Sequence, residues 1–387
     1  MARETAADDD RTASALAAAS AAVGLPLTDP VDLGGSERSL VLRARGADRD
    51  DETVVVKQFL PARGDGPAAD TPDGYVRELV GLRTLDAAPD LLAHDDASRL
   101  LVMTDAGTWP TLADLLLAPG APTDRDRAWA ESLSWAGTLG RTVAESASRA
   151  SHVRRLLDEH GARDEDVAAL LSRGAHALDD LAGGTADDDR ARLDDEVARM
   201  AALFAPGAAD VVSPTDTCPD NALRTPSGWT FLDLEGTSVH HLALDAAYTL
   251  LPFATCWCVF DAPHGYPDAL LEAFEDGARP HLPGVVDGAG WRTEVLTACG
   301  AYVLAAGAWL LASAHEDRPT VGPEGRSPSY RELLVQRWRW GSAHLRDELP
   351  ATAALCAAAL HAADERWGGT HGPGPYRAFS RTTPTPI

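Results

Sequence analysis

The chain changes character once, near residue 108, and that change limits the folds open to it. Before it, apolar residues come in short runs bounded by Gly, Pro and Asp. After it, they come in long Ala- and Leu-rich stretches at helical spacing. LGGSERSLVLRAR (33–45) reads as strand, tight turn, strand, and DETVVVKQFL (51–60) as a strand buried on both faces. Residues 61–74, dense in Pro, Gly and Asp, read as a loop, and YVRELVGLRTL (75–85) as a helix. RLLVMT (99–104) is a further strand, broken by DAGTWP. Residues 111–205 predict helices, 211–235 a short β island, and the helices resume to about Trp367. The expectation is an α+β protein of two lobes. Residues 1–24 form an N-terminal tail and helix, disordered over 1–10; 25–107 form a small β-rich lobe; 108–367 form a large helical lobe; 368–387 form a flexible tail rich in Pro, Gly and Thr.

Length and composition fit a soluble protein with a sizeable core: 387 residues, 45% hydrophobic and 24% charged. The charge balance is less ordinary, with 59 acids against 34 cations and a formal net charge of −25. Such a field repels nucleic acid and anionic membranes and attracts cationic small molecules or basic peptides. The stretch 295–314 has no charged residue and is long enough to span a bilayer. Its Ala, Gly, Ser, Thr and Cys content, with no flanking basic cluster, favours a buried helix. The acidic start MARETAADDDR lacks a basic n-region, so no signal peptide is expected. Five scattered cysteines without zinc-ligand spacing point to a reducing cytoplasm, and Cys256-Trp257-Cys258 reads as two core thiols. The sequence leaves the oligomeric state open.

Two singletons carry the functional reading. Lys57 is the only lysine among the 34 Lys and Arg residues, and Asn221 is the only asparagine. A chain that uses Arg and avoids Asn wherever chemistry is indifferent marks these as places where the substitute fails. Lys57 closes the run Val54-Val55-Val56, where a compact ammonium suits a phosphate contact better than a rigid fork. Glu78, on the next helix, is its expected partner. Asn221 lies five residues after Asp216, and Asp233 follows twelve later in WTFLDLEG. Phosphoryl transfer needs a carboxylate to orient and deprotonate a hydroxyl, which fits Asp216. It also needs oxygen ligands for Mg²⁺, which fit Asn221 and Asp233. Glu235 shares the Asp233 face if the strand continues. His240-His241 reads as a pair of loop histidines rather than metal ligands. Trp338 and Trp340 in QRWRW read as helix packing rather than base stacking.

Over residues 30–310 the chain resembles the aminoglycoside phosphotransferase and choline kinase family, within the protein-kinase-like fold. DTCPDN (216–221) looks like its D-x-x-x-x-N catalytic loop with the characteristic Pro, here Pro219; LDLEG (232–236) looks like its metal-binding segment, and HLALDAAY (241–248) like the helix that follows. The resemblance implies ATP and Mg²⁺ as cofactors, with Gly34, Gly35 and Ser36 in the nucleotide-covering loop and Thr104 and Ala106 in the hinge that reads adenine. It also implies Asp245 as a buried acid bracing the catalytic loop. One departure stands out: where the family's loop opens His-Gly-Asp, this chain reads Pro214-Thr215-Asp216. Asp220 also replaces a usually small residue. The implied activity is ATP-dependent transfer of a phosphate to a hydroxyl of a small, cationic acceptor. The alternatives are a pseudokinase acting as a nucleotide-binding partner module, and a peptide Ser/Thr kinase in modified-peptide biosynthesis.

Overall fold

The computed structural model describes residues 2–36, 38–46, 52–60, 74–162, 164–184, 187–319, 322–323 and 325–380, with side chains from Asp10 onward except those of Ser36 and 187–189. Most of the expected loop 61–74 and the end of the expected tail lie outside these residues. Helix α1 (Ala2–Val23) opens the chain, so the segment expected to be disordered is helical from Ala2. Strands β1 (Leu27–Ser36), β2 (Ser39–Gly46) and β3 (Thr53–Phe59) follow, then α2 (Gly74–Thr84), β4 (Leu91–Asp95) and β5 (Leu100–Thr104). They form one five-stranded antiparallel sheet in the order β1-β2-β3-β5-β4. Strand β4 was not anticipated from LLAHD.

The central strand β3 is covered on both sides. Val54 and Val56 face the cluster in which Ala15 and Ala19 of α1 pack on Leu42, Ala44, Leu100 and Val102. By the two-residue alternation of a strand, Val55, Lys57 and Phe59 face the other way, toward α2. Lys57 pairs with Val41 on one side and Leu101 on the other, so both neighbours in the ladder are apolar.

Beyond the break at 105–110 come α3 (Leu112–Leu116), α4 (Pro122–Glu145), α5 (Ala150–Glu159), α6 (Val167–Ala182) and α7 (Asp187–Ala202). The β island is two small antiparallel pairs: β6 (Asp210–Ser213) with β9 (Ser238–His241), and β7 (Ala222–Thr225) with β8 (Gly228–Phe231). Helices α8 (Leu242–Leu250), α9 (Tyr266–Ala278), α10 (Pro283–Val286), α11 (Trp291–His315), α12 (Tyr330–His344) and α13 (Pro350–Trp367) complete the large lobe. The sheet with α2 and the helical part are the small and large lobes expected from the sequence. Helix α11 is long and apolar enough to cross a membrane, yet 67% of its apolar window is buried inside the molecule, against α6, α8 and α12. Trp338 stacks on Trp367 inside the same helical core.

Two expectations for the large lobe are corrected. Residues 368–380 are packed rather than flexible: Tyr376 is fully buried, donates to the Cys258 carbonyl at 3.0 Å and meets the rings of Phe253, Phe260 and Phe379. Aromatic burial there outweighs the loop composition. His240 and His241 are not loop residues either: they end β9, and the His241 side chain caps α8 by accepting from the Ala243 N–H.

Candidate active site

The site is assembled where α2 rests on the short turn Leu234–Gly236. Packing there is close enough that a Cβ at Gly81 would lie 2.4 Å from Thr237 Oγ1 and 3.0 Å from Leu234 Cβ. Arg77, buried on the same helix, donates to the Thr237 carbonyl at 2.8 Å and pairs with Asp164. Helix α2 is thereby fixed to the large lobe, and Glu78 is brought beside the segment that carries Asp233.

Lys57 sits between them. Its ammonium is 2.5 Å from Glu78 Oε2, 2.6 Å from Asp233 Oδ1 and 3.8 Å from Glu235 Oε2. Lys57 is 6% exposed and Glu78 2%, whereas the Asp233 side chain is 45% exposed and open to a ligand. Burial pulls the Lys57 ammonium down, but the charges of Glu78 and Asp233 outweigh it and raise it to about 12. Burial pushes the Glu78 carboxyl up, and Lys57 opposes that rise only in part, leaving it near 7.

On the other strand of the turn, the Leu232 N–H donates to the Asn221 carbonyl at 2.7 Å, which ties the Asn221 loop end to the segment entering Asp233. The Asn221 amide has no hydrogen-bond partner among the described residues and is free to act as a ligand. A neutral amide oxygen and an open carboxylate are the hard oxygen donors that Mg²⁺ takes, so these residues fit the ion. Glu78, Asp233 and Glu235 also bring oxygens within 4.8 Å of one another. Asp233 adopts φ 56°, a left-handed conformation that turns the chain sharply at this carboxylate.

Asp216 is reachable by solvent but crowded by protein. Desolvation pushes its carboxyl up to about 6; the Cys218 N–H at 3.2 Å opposes the rise, and the charges of Asp233, Asp220 and Glu235 add to it. The backbone before it is strained, because Thr215 is β-branched and has φ 66°. A buried network holds it there. His240 Nε2 and the Ser213 hydroxyl bond the two oxygens of Asp245 at 2.9 and 2.5 Å, the Thr215 N–H donates to Ser213 Oγ at 2.8 Å, and the Thr215 hydroxyl meets Ser238 at 3.0 Å. Asp245 braces the loop as its motif implied. The part played by His240 escaped the sequence reading, because a histidine one strand away gives no local signal.

Among the nucleotide contacts expected, Gly34 and Gly35 lie in the last turn of β1, paired with Val41 and Leu40. Gly35 has φ 147°, and a Cβ there would come within 2.3 Å of the Ser39 carbonyl oxygen, so glycine is required. Ser36 ends β1; its side chain lies outside the described residues. Arg38, in the following turn, reaches Glu235 at 3.2 Å, so this turn lies over the acidic segment. The Thr104 hydroxyl accepts from Asp90 N at 2.9 Å and holds β4 against β5 instead of standing free. Asp105 is fixed by Arg43 and Thr53. The Ala106 backbone makes no hydrogen bond among the described residues.

Cys218 and Cys256 are disulfide-bonded, with Cα atoms 5.3 Å apart, which corrects the reading of Cys256 as a plain core thiol. Cys258, Cys299 and Cys356 are free and buried. A cavity of about 320 Å³ lies elsewhere, behind α2, lined by Tyr75, Leu79, Arg83, Arg99 and His160 among others; none of the candidate residues lines it.

No protein-family model matches the chain, and no curated protein does. Solved structures do align with it along most of its length. A choline kinase from Cryptosporidium parvum Iowa II is 9% identical, with 88% of this chain and 90% of that one covered and a TM-score of 0.46. The choline kinase LicA from Streptococcus pneumoniae is 12% identical, with coverages of 85% and 94% and a TM-score of 0.42. A spectinomycin phosphotransferase in complex with ADP and spectinomycin is 9% identical, with coverages of 89% and 97% and a TM-score of 0.44.

Proposed function

We propose that the protein is an ATP-dependent O-phosphotransferase that moves the γ-phosphate to a hydroxyl of a small cationic acceptor. The observation that carries this reading is the buried Lys57 held by Glu78 and Asp233, with the Asp216 carboxyl near enough to feel the charges of Asp233 and Glu235. Lys57, held by Glu78, presents a point charge to the phosphates. Asn221 and Asp233 would hold Mg²⁺, which when bound neutralises charge on the phosphates being separated. Asp216 orients the acceptor hydroxyl and takes its proton as the oxygen attacks phosphorus, and a pKa near 6 leaves it ionised and able to accept at neutral pH. Gly35 and the Ala106 backbone frame the nucleotide.

What supports an enzyme over a nucleotide-binding module without catalysis is the bracing of Asp216. Pro214 stands where a supporting histidine is usual, but His240 of β9 and Asp245 of α8 hold the loop from outside it. The net charge of −25 supports a cationic acceptor, and ATP as donor supports the cytoplasm as the place of action. The test is transfer of labelled γ-phosphate to choline, spectinomycin, a basic Ser-containing peptide and a neutral sugar, with wild type and Lys57→Arg. Transfer to a cationic hydroxyl compound, lost in Lys57→Arg, is expected; wild-type turnover in Lys57→Arg would remove the phosphate role of Lys57. Labelling of the peptide alone would move the reading to a peptide kinase.

A further inference from the structure

The Cys256-Trp257-Cys258 motif finds no place in the phosphotransfer chemistry, yet it is joined to the catalytic loop. Cys218 lies two residues after Asp216 and three before Asn221, and its sulfur is bonded to Cys256. Next to that bond, Trp257 Nε1 donates to Asp220 Oδ2 at 2.7 Å. The segment on the far side of the bond is a firm base. Arg337, 1% exposed, donates to the carbonyls of Pro252, Phe253 and Ala254 at 3.2, 2.7 and 3.1 Å, and the Tyr248 and Thr255 hydroxyls meet at 2.8 Å. The loop carrying Asp216 and Asn221 is thus clamped at two points to a rigid support, and one of the clamps is covalent and reversible.

We propose that Cys218–Cys256 is an oxidative modification site that sets the position of the catalytic loop, with the disulfide form as the competent one. This rests on the phosphotransferase reading above for its effect on turnover, though not for its effect on the loop. In a reducing compartment, disulfides of this kind are redox-responsive rather than permanent. Cys256 is 7% exposed beside the exposed Thr255, which gives a dithiol reductant its approach. A thiolate of that dithiol attacks Cys256 Sγ and releases Cys218, which takes a proton. The second thiolate then closes the reductant's own disulfide and releases Cys256 as a thiol. Two electrons and two protons reach the protein, and the dithiol is oxidised. Cys258, though its N–H lies 3.2 Å from Cys256 Sγ, is not the attacking group: burial keeps its thiol protonated. Reduction removes the covalent tie between the catalytic loop and its support and leaves the Trp257–Asp220 hydrogen bond as the remaining clamp. A loop freed to shift Asp216 by ~1 Å loses up to ~100-fold in rate.

The experiment uses the full chain, oxidised and then treated with dithiothreitol. Alkylation and mass spectrometry should count three thiols before reduction and five after. Hydrogen exchange in the 214–222 peptide should rise on reduction, Mg-ATP turnover should fall at least tenfold, and reoxidation should restore both. Cys218→Ser and Cys256→Ser should resemble the reduced protein and ignore dithiothreitol, while Cys258→Ser still responds. Reversal in the wild type keeps the test decisive if a serine variant fails to fold. Five alkylatable thiols after oxidant treatment, or unchanged exchange in 214–222, would overturn the proposal. A redox response in exchange without turnover in either state would leave the cross-link standing and refute the phosphotransferase.

Discussion

Replacing Lys57 by Met tests whether the ammonium is the counter-charge that makes Glu78 tolerable in the core. Glu78 is 2% exposed, its one polar side-chain partner among the described residues is Lys57 at 2.5 Å, and Asp233 and Glu235 lie close enough to push its pKa further up. Breaking a buried pair by removing one partner costs roughly 3–5 kcal/mol, because the remaining charge has neither water nor a counter-ion. The carboxyl can escape by taking a proton. It already titrates near 7 with Lys57 in place, and without that cation its pKa rises further. A carboxyl whose folded pKa lies above its unfolded value binds more protons in the native state. Its stability is therefore full below the unfolded pKa and is lost as pH rises toward the folded one. The slope approaches ~1.4 kcal/mol per pH unit. Lys57→Met should thus lose little at pH 5 and ~3 kcal/mol or more at pH 8. The pair Lys57→Met with Glu78→Gln, which removes both charges, should recover most of that loss and its pH dependence. Urea denaturation of wild type, single and double variants at the two pH values reads this directly. A single variant as stable as wild type at pH 8, or a double variant no better than the single, would refute the account of the pair.

Other consequences follow from the same geometry. On the acid side, turnover should rise with pH through about 6 as Asp216 ionises, and Asp216→Asn should abolish that limb along with most of the rate; an acid limb that survives in the variant's residual activity would assign it to another group. His240→Ala leaves one Asp245 oxygen without its partner and releases the strained Thr215, so it should cost about 1–3 kcal/mol and lower kcat while the KM for ATP stays put. Unchanged kcat would make His240 merely structural. Acceptor binding should weaken as ionic strength rises, given the charge of −25, and calorimetry in a salt series that gave a flat response would remove the cationic-acceptor idea.

The site was more legible than its supports. Lys57 and Asn221 stood out because the composition left lysine and asparagine at one position each; Lys57 meets Asp233 at 2.6 Å, and the Asn221 carbonyl is tied to Leu232, next to Asp233. Helix α2 and strand β3 follow from periodicity, and β3 reads as doubly buried because α1 covers the sheet face opposite α2. Strand β4 was missed because five residues pairing only with β5 carry little pattern of their own. The tail at 368–380 looked flexible by composition, but Tyr376 and Phe379 gain more from burial than Gly and Pro lose in order. His240 and the Cys218–Cys256 bond join positions 5 and 38 residues apart through tertiary packing, which no local spacing signals. The Thr104 hydroxyl bonds the Asp90 N–H just ahead of the unanticipated strand, a contact without a signal in the sequence.

The central claim is that Asn221 and Asp233 bind Mg-nucleotide while Asp216 serves only the chemical step, and melting curves with and without Mg-ATP test it most directly. A ligand that binds only the native state stabilises it by ~2.7 kcal/mol at a hundredfold excess over Kd. Wild type and Asp216→Asn should both melt higher with Mg-ATP, only the former should turn over, and Asp233→Ala should show no Mg²⁺-dependent shift. A wild-type protein that melts identically with and without Mg-ATP, or a shift indifferent to Mg²⁺, would contradict the enzyme account and leave only the fold.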